Sequence, residues 1–207
     1  MSVDIIKQII LNILTALYKP FWFALIMAIL LMQVYLTLCQ SSLKTVILDW
    51  WNHFRNEAKF RRLFLLFFYI TLVLFRTLLD RDIWMDPLEN VFGPWKIYSE
   101  EGQLDTECVE NLIMLLPYMV LLWVNFHEKL CKKQFGCGIC LWQSLKITFL
   151  TSLMIEVLQL ILRLGTFQLS DLFYNTLGGL IGGLVYWVGY RITCRVYDNG
   201  NRKNMGR

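Results

Sequence analysis

The sequence predicts an all-α integral membrane protein: a bundle of five transmembrane helices preceded by an amphipathic interfacial helix. Of the 207 residues, 57% are hydrophobic and only 17% are Asp, Glu, Lys or Arg, whereas roughly a quarter of the residues of a soluble domain are charged. The hydrophobic residues also occur in blocks, since residues 20–39, 63–75 and 111–126 contain no charged side chain. This composition argues against a disordered chain, a nucleic-acid-binding module and an ordinary soluble enzyme.

Five segments are long and apolar enough to cross a bilayer, which takes about 20 helical residues with a range of about 17–25. The predicted spans are 20–39, 63–79, 110–126, 141–162 and 172–192. The chain has no internal repeat or low-complexity tract. We divide it into residues 1–19 (interfacial helix), 20–62 (first span and basic loop), 63–192 (four-span domain) and 193–207 (basic tail).

Residues 3–18 are expected to form the amphipathic helix. Their isoleucines and leucines repeat at three- and four-residue spacing, while Lys7, Gln8 and Asn12 interrupt the apolar surface. This pattern is typical of a helix that lies in the membrane interface; the alternative is a short sixth span. The apolar stretch is too long for a removable signal peptide, and no small-residue cleavage site follows it.

The distribution of Lys and Arg predicts the orientation. The loop 40–62, the loop after Phe126 and the C-terminal tail carry thirteen of these residues, while the opposite side carries five: Lys7, Lys19, Arg81, Lys96 and Arg163. Basic loops face the cytoplasm, so we expect a multi-pass protein of the cell membrane with a cytoplasmic C-terminus. The net charge of +4 then lies beside anionic lipid and does not indicate nucleic acid.

The long outer loop, residues 80–109, combines acidic and aromatic side chains. It contains eight Asp or Glu residues against Arg81 and Lys96, together with Trp84, Phe92, Trp95 and Tyr98. Aromatic side chains are enriched at headgroup level, so this loop is expected to rest on the membrane surface.

Nine polar or charged side chains from four predicted spans occur at the same outer depth, and we predict that they bind a ligand: Arg76, Asp80, Glu110, Asn111, Glu156, Gln159, Arg163, Asp171 and Asn175. Ionisable groups inside a span are costly and often mark a functional site. At about 100° per residue, Glu156, Gln159 and Arg163 lie within an arc of about 60°. Lys146 is not part of this predicted site, because it lies near the cytoplasmic end of its span and can extend its ammonium group to that surface.

The last span adds a stripe of small residues to its polar residues Asp171 and Asn175. A double GxxxG pattern lets a neighbouring helix approach closely in lipid, and it is formed by Gly178, Gly179, Gly182 and Gly183. The alternative for the charged residues is structural: ion pairs such as Glu156–Arg163 and Arg76–Asp80 that only stabilise the bundle.

These motifs resemble those of the VanZ-like membrane proteins. The resemblance extends from about Arg76 to Gly189 and is carried by Glu110-Asn111-x5-Pro117, Glu156-x2-Gln159-x3-Arg163 and Asp171-x3-Asn175-Thr176-Leu177-Gly178-Gly179. It implies a small multi-span protein of the bacterial cell envelope, in a family named for a member linked to low-level teicoplanin resistance. Such proteins usually have Gly after the third-span proline, where this chain has Tyr118.

The cysteines and histidines do not form a recognisable catalytic motif. Cys131, Cys137 and Cys140 share one loop with His127, so zinc binding or CxxC redox chemistry is conceivable. Without a second CxxC, free thiols are favoured, and we expect no metal site, disulfide framework or cofactor. The chain also has no HExxH, P-loop or GxGxxG sequence.

Three functions fit this pattern. The favoured one is an outward-facing pocket that binds a lipid-linked wall precursor or a lipoglycopeptide, and the resemblance then implies a contribution to teicoplanin resistance. In this pocket Arg76 and Arg163 would anchor phosphate or carboxylate groups, while Glu110, Glu156 and Asp171 would accept amines. The second is a membrane enzyme that uses these carboxylates as acid and base on a lipid-linked phosphate or peptide precursor. A small transporter is less favoured, because the polar residues do not continue across the membrane.

Overall fold

The computed structural model describes residues 2–39, 43–95, 106–131 and 135–205. In these residues every regular element is a helix, apart from one isolated antiparallel bridge between Ile83 and Leu164. The all-α prediction is therefore confirmed. The outer-loop residues Lys96, Tyr98, Glu100, Glu101 and Asp105 lie outside the described residues.

The helices follow one another in the order α1 (Ser2–Tyr18), α2 (Phe21–Cys39), α3 (Leu43–Asn56), α4 (Ala58–Leu74), a π-helical turn (Phe75–Leu79) that continues α4, α5 (Glu107–Leu130), α6 (Cys137–Leu162) and α7 (Leu169–Met205). Four helices of the described part are long and apolar enough to cross a membrane, namely α2, α4 with its π-helical turn, α5 and α6. They coincide with the first four predicted spans. The fifth, 172–192, lies within α7, which is less apolar than the others, and the count of five stays a prediction.

The N-terminal helix α1 is short and apolar and packs against α5. A second short helix, α3, lies between the first two spans and was not expected from the charge pattern. Its Trp50 and Phe54 rings stack with centroids 5.2 Å apart, and Phe60 and Phe64 of α4 pack against them. Burial of these rings gives α3 an apolar face that a charged loop would lack.

Helix α7 packs against both α5 and α6, and its α5-facing side carries Gly178 and Gly182. A Cβ atom at either position would collide with a backbone carbonyl oxygen of α5, that of Leu112 or that of Leu116. Only glycine leaves room for two helix backbones at this distance. The two helices therefore touch along at least one full turn.

The neighbouring pair, Gly179 and Gly183, faces α6. A Cβ atom at these positions would overlap the side chains of Thr148 and Ser144. The Ser144 hydroxyl in turn accepts a 2.9 Å hydrogen bond from Nε1 of Trp123 on α5. The double GxxxG pattern thus brings α5, α6 and α7 together around one crossing.

Gly178→Ala is expected to destabilise the bundle by about 1–3 kcal/mol, the usual cost of overpacking, because the backbone of Leu112 cannot rotate away. Gly189→Ala is the matched control, since a Cβ there meets nothing within 4 Å. Thermal unfolding of the detergent-solubilised variants, followed by size-exclusion chromatography, measures the difference. Equal melting temperatures would contradict the close approach of α7 to α5.

Candidate functional site

The elements that carry the candidate site meet at one end of the bundle. They are the second half of α1, the π-helical turn after α4, the first turns of α5 and α7 and the last turns of α6. Beneath them lies a hydrophobic cluster of Val73, Leu115 and Ile155. Since α4 to α7 alternate in direction, side chains far apart in sequence come together here.

Arg76 and Glu110 form the first polar centre. Nη2 of Arg76 donates to Oε2 of Glu110 at 2.7 Å. The other carboxylate oxygen accepts hydrogen bonds from Nδ2 of Asn12 at 3.0 Å and from the Thr106 hydroxyl at 2.7 Å. The Glu110 side chain is 15% exposed and that of Arg76 is 40% exposed, so the carboxylate is enclosed while the guanidinium still reaches the surface.

Asp80 links this centre to the connection between α1 and α2. Nζ of Lys19 lies 3.1 Å from Oδ1 of Asp80, and Nη1 of Arg76 lies 3.9 Å from Oδ2. The Arg76–Asp80 pair named as a structural alternative is therefore present, but Glu110 is the nearer partner of the arginine.

Gln159 stabilises the irregular end of α4. In the π-helical turn, the Asp80 amide donates to the carbonyl of Phe75 at 2.8 Å. The chain then leaves the helix, so the last carbonyls lose their helical donors. Nε2 of Gln159, which is 3% exposed, donates to the carbonyl of Thr77 at 2.8 Å. Its role here is to satisfy a buried backbone acceptor.

Glu156 and Asp171 form a second, deeper centre between α6 and α7. Glu156 is 1% exposed and Asp171 is 8% exposed. Oε2 of Glu156 accepts the backbone amide of Gln168 at 3.0 Å, while the Asn111 side chain approaches the carboxylate of Asp171. Two predicted site residues from different spans, Asn111 and Asp171, thus lie close together.

The cation near these two carboxylates is Arg81, which was assigned only to the outer loop. Arg81 lies within electrostatic range of both Glu156 and Asp171, and its guanidinium passes close to Gly165. Asn12, Lys19 and Thr106 were also missed as site residues. Only their polarity next to apolar stretches could have indicated a role.

Asn175 lies one helical turn below Asp171 and is 2% exposed. Its Nδ2 donates to the Ser152 hydroxyl at 3.1 Å, whereas its Oδ1 is buried and has no hydrogen-bond partner among the described residues. Within the same part of the chain, Oε1 of Gln168 is likewise buried without a partner. The deeper centre therefore contains more acceptors than donors.

Arg163 does not share the face of Glu156 and Gln159 as the helical arc predicted. Helix α6 ends at Leu162, and Arg163 adopts the left-handed conformation with φ 55° and ψ 40°. The side chain is exposed, and no ion pair with Glu156 forms between these two described residues. The helical period ends one residue before Arg163, and this moves the side chain off the face.

The outer loop and the α6–α7 connection cover the deeper centre together. The amide of Trp84 donates to the Arg163 carbonyl at 2.8 Å, and the amides of Phe167 and Leu169 donate to the carbonyls of Pro87 and Val91, both at 2.8 Å. Several apolar side chains remain largely exposed on the outer face of this cover, including Ile83, Met85, Leu88 and Phe92.

A cleft of about 240 Å³ opens beside the first centre. Its lining combines two cations with three carboxylates and two other polar side chains: Arg76, Arg81, Asp80, Glu107, Glu110, Thr77 and Asn111, with Met114 as the apolar member. A ligand in this cleft would meet hydrogen-bond donors and acceptors at once. Gln159 supports this lining through its hydrogen bond to the carbonyl of Thr77, whereas Glu156 and Asn175 do not line the cleft.

Cys131, Cys137 and Cys140 lie at the opposite end of α5 and α6 from this cleft. Cys140 is buried, and its thiol donates to the Gly183 carbonyl at 3.3 Å. His127 belongs to an aromatic cluster at the opposite end, where its ring stacks on Tyr190 with centroids 4.9 Å apart. In the described ranges no three His, Cys, Asp or Glu side chains are close enough together to bind a metal ion.

Comparison with known proteins identifies one family. The profile of the VanZ/LLP1 family matches residues 23–190, beginning in α2, well before Arg76. Protein VanZ of Enterococcus faecium is 30% identical over 80 residues, which cover 39% of this chain and 44% of the relative. The aligned part thus spans less than half of that relative's length. No solved structure matches the chain.

Glu110→Gln is expected to lower the free energy of unfolding by about 1.5–3 kcal/mol, the range for a hydrogen bond to a charged group, because Arg76 loses its nearer partner. Asp80→Asn weakens two more exposed contacts, with Lys19 at 3.1 Å and with Arg76 at 3.9 Å, and should cost about 0–1 kcal/mol. Thermal unfolding of both variants in detergent compares them. A larger loss in Asp80→Asn would mean that Glu110 is not the principal partner of Arg76.

Proposed function

The chain belongs to the VanZ/LLP1 family, and from this premise we propose that its polar cleft binds an amphiphilic component of the cell envelope or a lipoglycopeptide. Binding would reduce access of the drug to its wall-precursor target and so contribute to teicoplanin resistance. The observation that carries the proposal is the cleft beside the Arg76–Glu110 pair. The apolar helices are those of a multi-pass membrane protein, so an amphiphile can reach the cleft from the bilayer.

The chemistry of the cleft suits a head group with both acceptors and donors. Arg76 and Arg81 would hold phosphate or carboxylate oxygens through charge-assisted hydrogen bonds. Glu107 and Glu110 would accept amine or amide protons, and Asn111 would orient the head group. Arg163 does not line the cleft, so Arg81 takes the anion-binding role first assigned to Arg163.

Partial exposure of Arg76 supports a role in binding as well as in stability. A purely structural ion pair is best stabilised when both partners are enclosed and fully hydrogen-bonded. Here the carboxylate has three partners, whereas the guanidinium is 40% exposed and borders the cleft. A ligand anion could therefore bind the guanidinium while Glu110 keeps its contacts with Asn12 and Thr106.

The position of the cleft fits access from outside the cell. The charge distribution predicts that this end of the bundle faces outward, where drug and wall precursor meet. The exposed apolar side chains of the cover, such as Met85 and Phe92, would rest among lipid headgroups. An amphiphile partitioned into the outer leaflet would then arrive at the level of the cleft.

Arg76→Gln is expected to abolish teicoplanin tolerance in a teicoplanin-susceptible bacterial host that expresses the chain, because the head group loses its anion contact. The control is Arg55→Gln in α3, an exposed arginine at the opposite end of the bundle. The minimum inhibitory concentration is measured together with the amount of protein in the membrane fraction. Loss of tolerance with an equal loss of protein would favour a purely structural role for Arg76.

A second candidate function is catalysis on a lipid-linked phosphate or peptide precursor. It is favoured by the buried carboxylates Glu156 and Asp171 near the cationic Arg81. Such a set could move a proton while a cation holds an anionic substrate.

Catalysis predicts a covalent change in envelope lipids or peptidoglycan fragments when the chain is expressed. Mass spectrometry of membrane extracts should then detect a new product with the unaltered chain and none with Glu156→Gln. An unchanged lipid and peptidoglycan profile, together with retained drug tolerance, would leave binding as the function.

A further inference from the structure

A second cavity, an apolar groove, lies between α1, α4 and α5. Its walls are formed by Ile13, Ala16 and Leu17 of α1, by Tyr69, Leu72 and Val73 of α4, and by Ile113 and Met114 of α5. The polar residues Arg76, Glu110 and Asn111 also line it. The groove is therefore amphiphilic, with hydrocarbon walls and charged groups.

The groove and the polar cleft are adjacent and share a continuous part of their lining. Arg76, Glu110, Asn111 and Met114 line both cavities. The Arg76–Glu110 pair thus stands at the junction, with a charged cleft on one side and hydrocarbon walls on the other. A molecule that fills both cavities must have a polar head joined to an apolar tail.

From this continuity we propose that the groove receives the hydrocarbon chain of an amphiphile whose anionic head group contacts Arg76. The proposal rests on the proposed binding function of the cleft, and it deepens that function by naming the class of ligand. The two sources of such a ligand are a lipid-linked precursor and an acylated glycopeptide, which share this chemistry.

The dimensions of the groove favour one narrow chain. Its volume is about 80 Å³, roughly half of the ~150 Å³ that holds a benzene ring in an engineered protein cavity. A ring system or a second helix would not fit. Because the groove is only partly enclosed, the remainder of the chain can continue into the surrounding lipid.

The lining also presents carbon surface to the chain. The Tyr69 hydroxyl donates to the Met114 carbonyl at 2.7 Å, so the polar atom of the phenol is already satisfied and its ring is free for apolar contact. In the described part of the chain, Tyr69 is the tyrosine that lines the groove. A methylene chain can therefore lie here without leaving a polar group unpaired.

Helix α1 forms one wall of the groove, and polar contacts hold it against the bundle. Asn12 donates to Glu110 at 3.0 Å and to Thr106 at 2.8 Å, and Lys19 contacts Asp80 at 3.1 Å. These contacts bracket the three groove residues of α1. They explain why an amphipathic helix that could lie free on the membrane is attached to the bundle.

Photolabelling tests the proposal. The full-length protein in lipid nanodiscs is irradiated with dodecyl phosphate that carries a diazirine near the end of its chain, and labelled peptides are identified by mass spectrometry. A second probe carries the diazirine on the carbons next to the phosphate; with it, labels are expected on groove residues of α1, α4 and α5, and excess unlabelled dodecyl phosphate should compete for them. Uniform labelling of all lipid-facing helices, including α2 and α6, would overturn the proposal.

Ile13→Trp should reduce groove labelling about tenfold, because the indole occupies the space of the chain. Leu11→Trp is the matched control, since Leu11 lies on the opposite face of α1 and is 47% exposed. Ala16→Leu fills the same groove with a smaller side chain and replaces Ile13→Trp if that variant unfolds. Unchanged labelling in the folded groove variants would overturn the proposal.

Arg76→Gln separates this inference from the proposed function. If groove labelling persists in Arg76→Gln but is lost in Ile13→Trp, the groove binds the hydrocarbon chain, and the proposed contact between Arg76 and the anionic head group is wrong. If labelling is lost in Arg76→Gln but is unaffected by the folded groove variants, Arg76 binds the head group, and the proposal that the groove receives the hydrocarbon chain is wrong. To identify the source, an acylated glycopeptide and a polyprenyl phosphate are compared as competitors of the label.

Discussion

The close approach of α7 to α5 and α6 is the constraint on which the candidate site depends. Gly178 and Gly182 bring α7 against carbonyl groups of α5, while Gly179 and Gly183 bring it against side chains of α6. Because the hydrophobic effect does little to drive helices together in lipid, their association depends on van der Waals packing, which requires backbones to approach this closely. Above this crossing the same three helices present Asn111, Glu156 and Asp171 to one another. If the helices crossed at a greater distance, each of these side chains would face lipid alone. Ionisable groups in that position cost free energy and are rare in membrane proteins.

The polar groups at this end are arranged by how deeply they lie. Gln159 and Asn175 are buried and make hydrogen bonds within the bundle to Thr77 and Ser152, and therefore act first on stability. The outer ones, Arg76 and Arg81, are accessible and border the cleft. Depth thus separates residues that support the site from residues that can contact a ligand, although all of them belong to one polar region.

Much of this arrangement was predictable from sequence, because helices in lipid have few alternatives. The span pattern and the outer polar level both follow from the distribution of polar residues along apolar segments. Two features did not follow. Arg163 leaves the helical face because α6 ends one residue earlier, and helix ends are difficult to predict to one residue. Asn12 contacts Glu110 across 98 positions of sequence, a pairing that no local pattern contains.

The Arg76–Glu110 pair has a position that neither a purely polar site nor a purely structural one requires. It lies between a cleft lined by charged groups and a groove lined by hydrocarbon. The Glu110 carboxylate is 15% exposed and lies beside apolar walls, so its interaction with Arg76 is screened less by water than on an open surface. Arg76 also lies on a π-helical turn, and such turns interrupt a regular helix and are frequent at functional sites. Stability alone would be served as well by apolar side chains of similar size, so the charged pair at this junction is better explained by a ligand that is itself polar at one end and apolar along the rest.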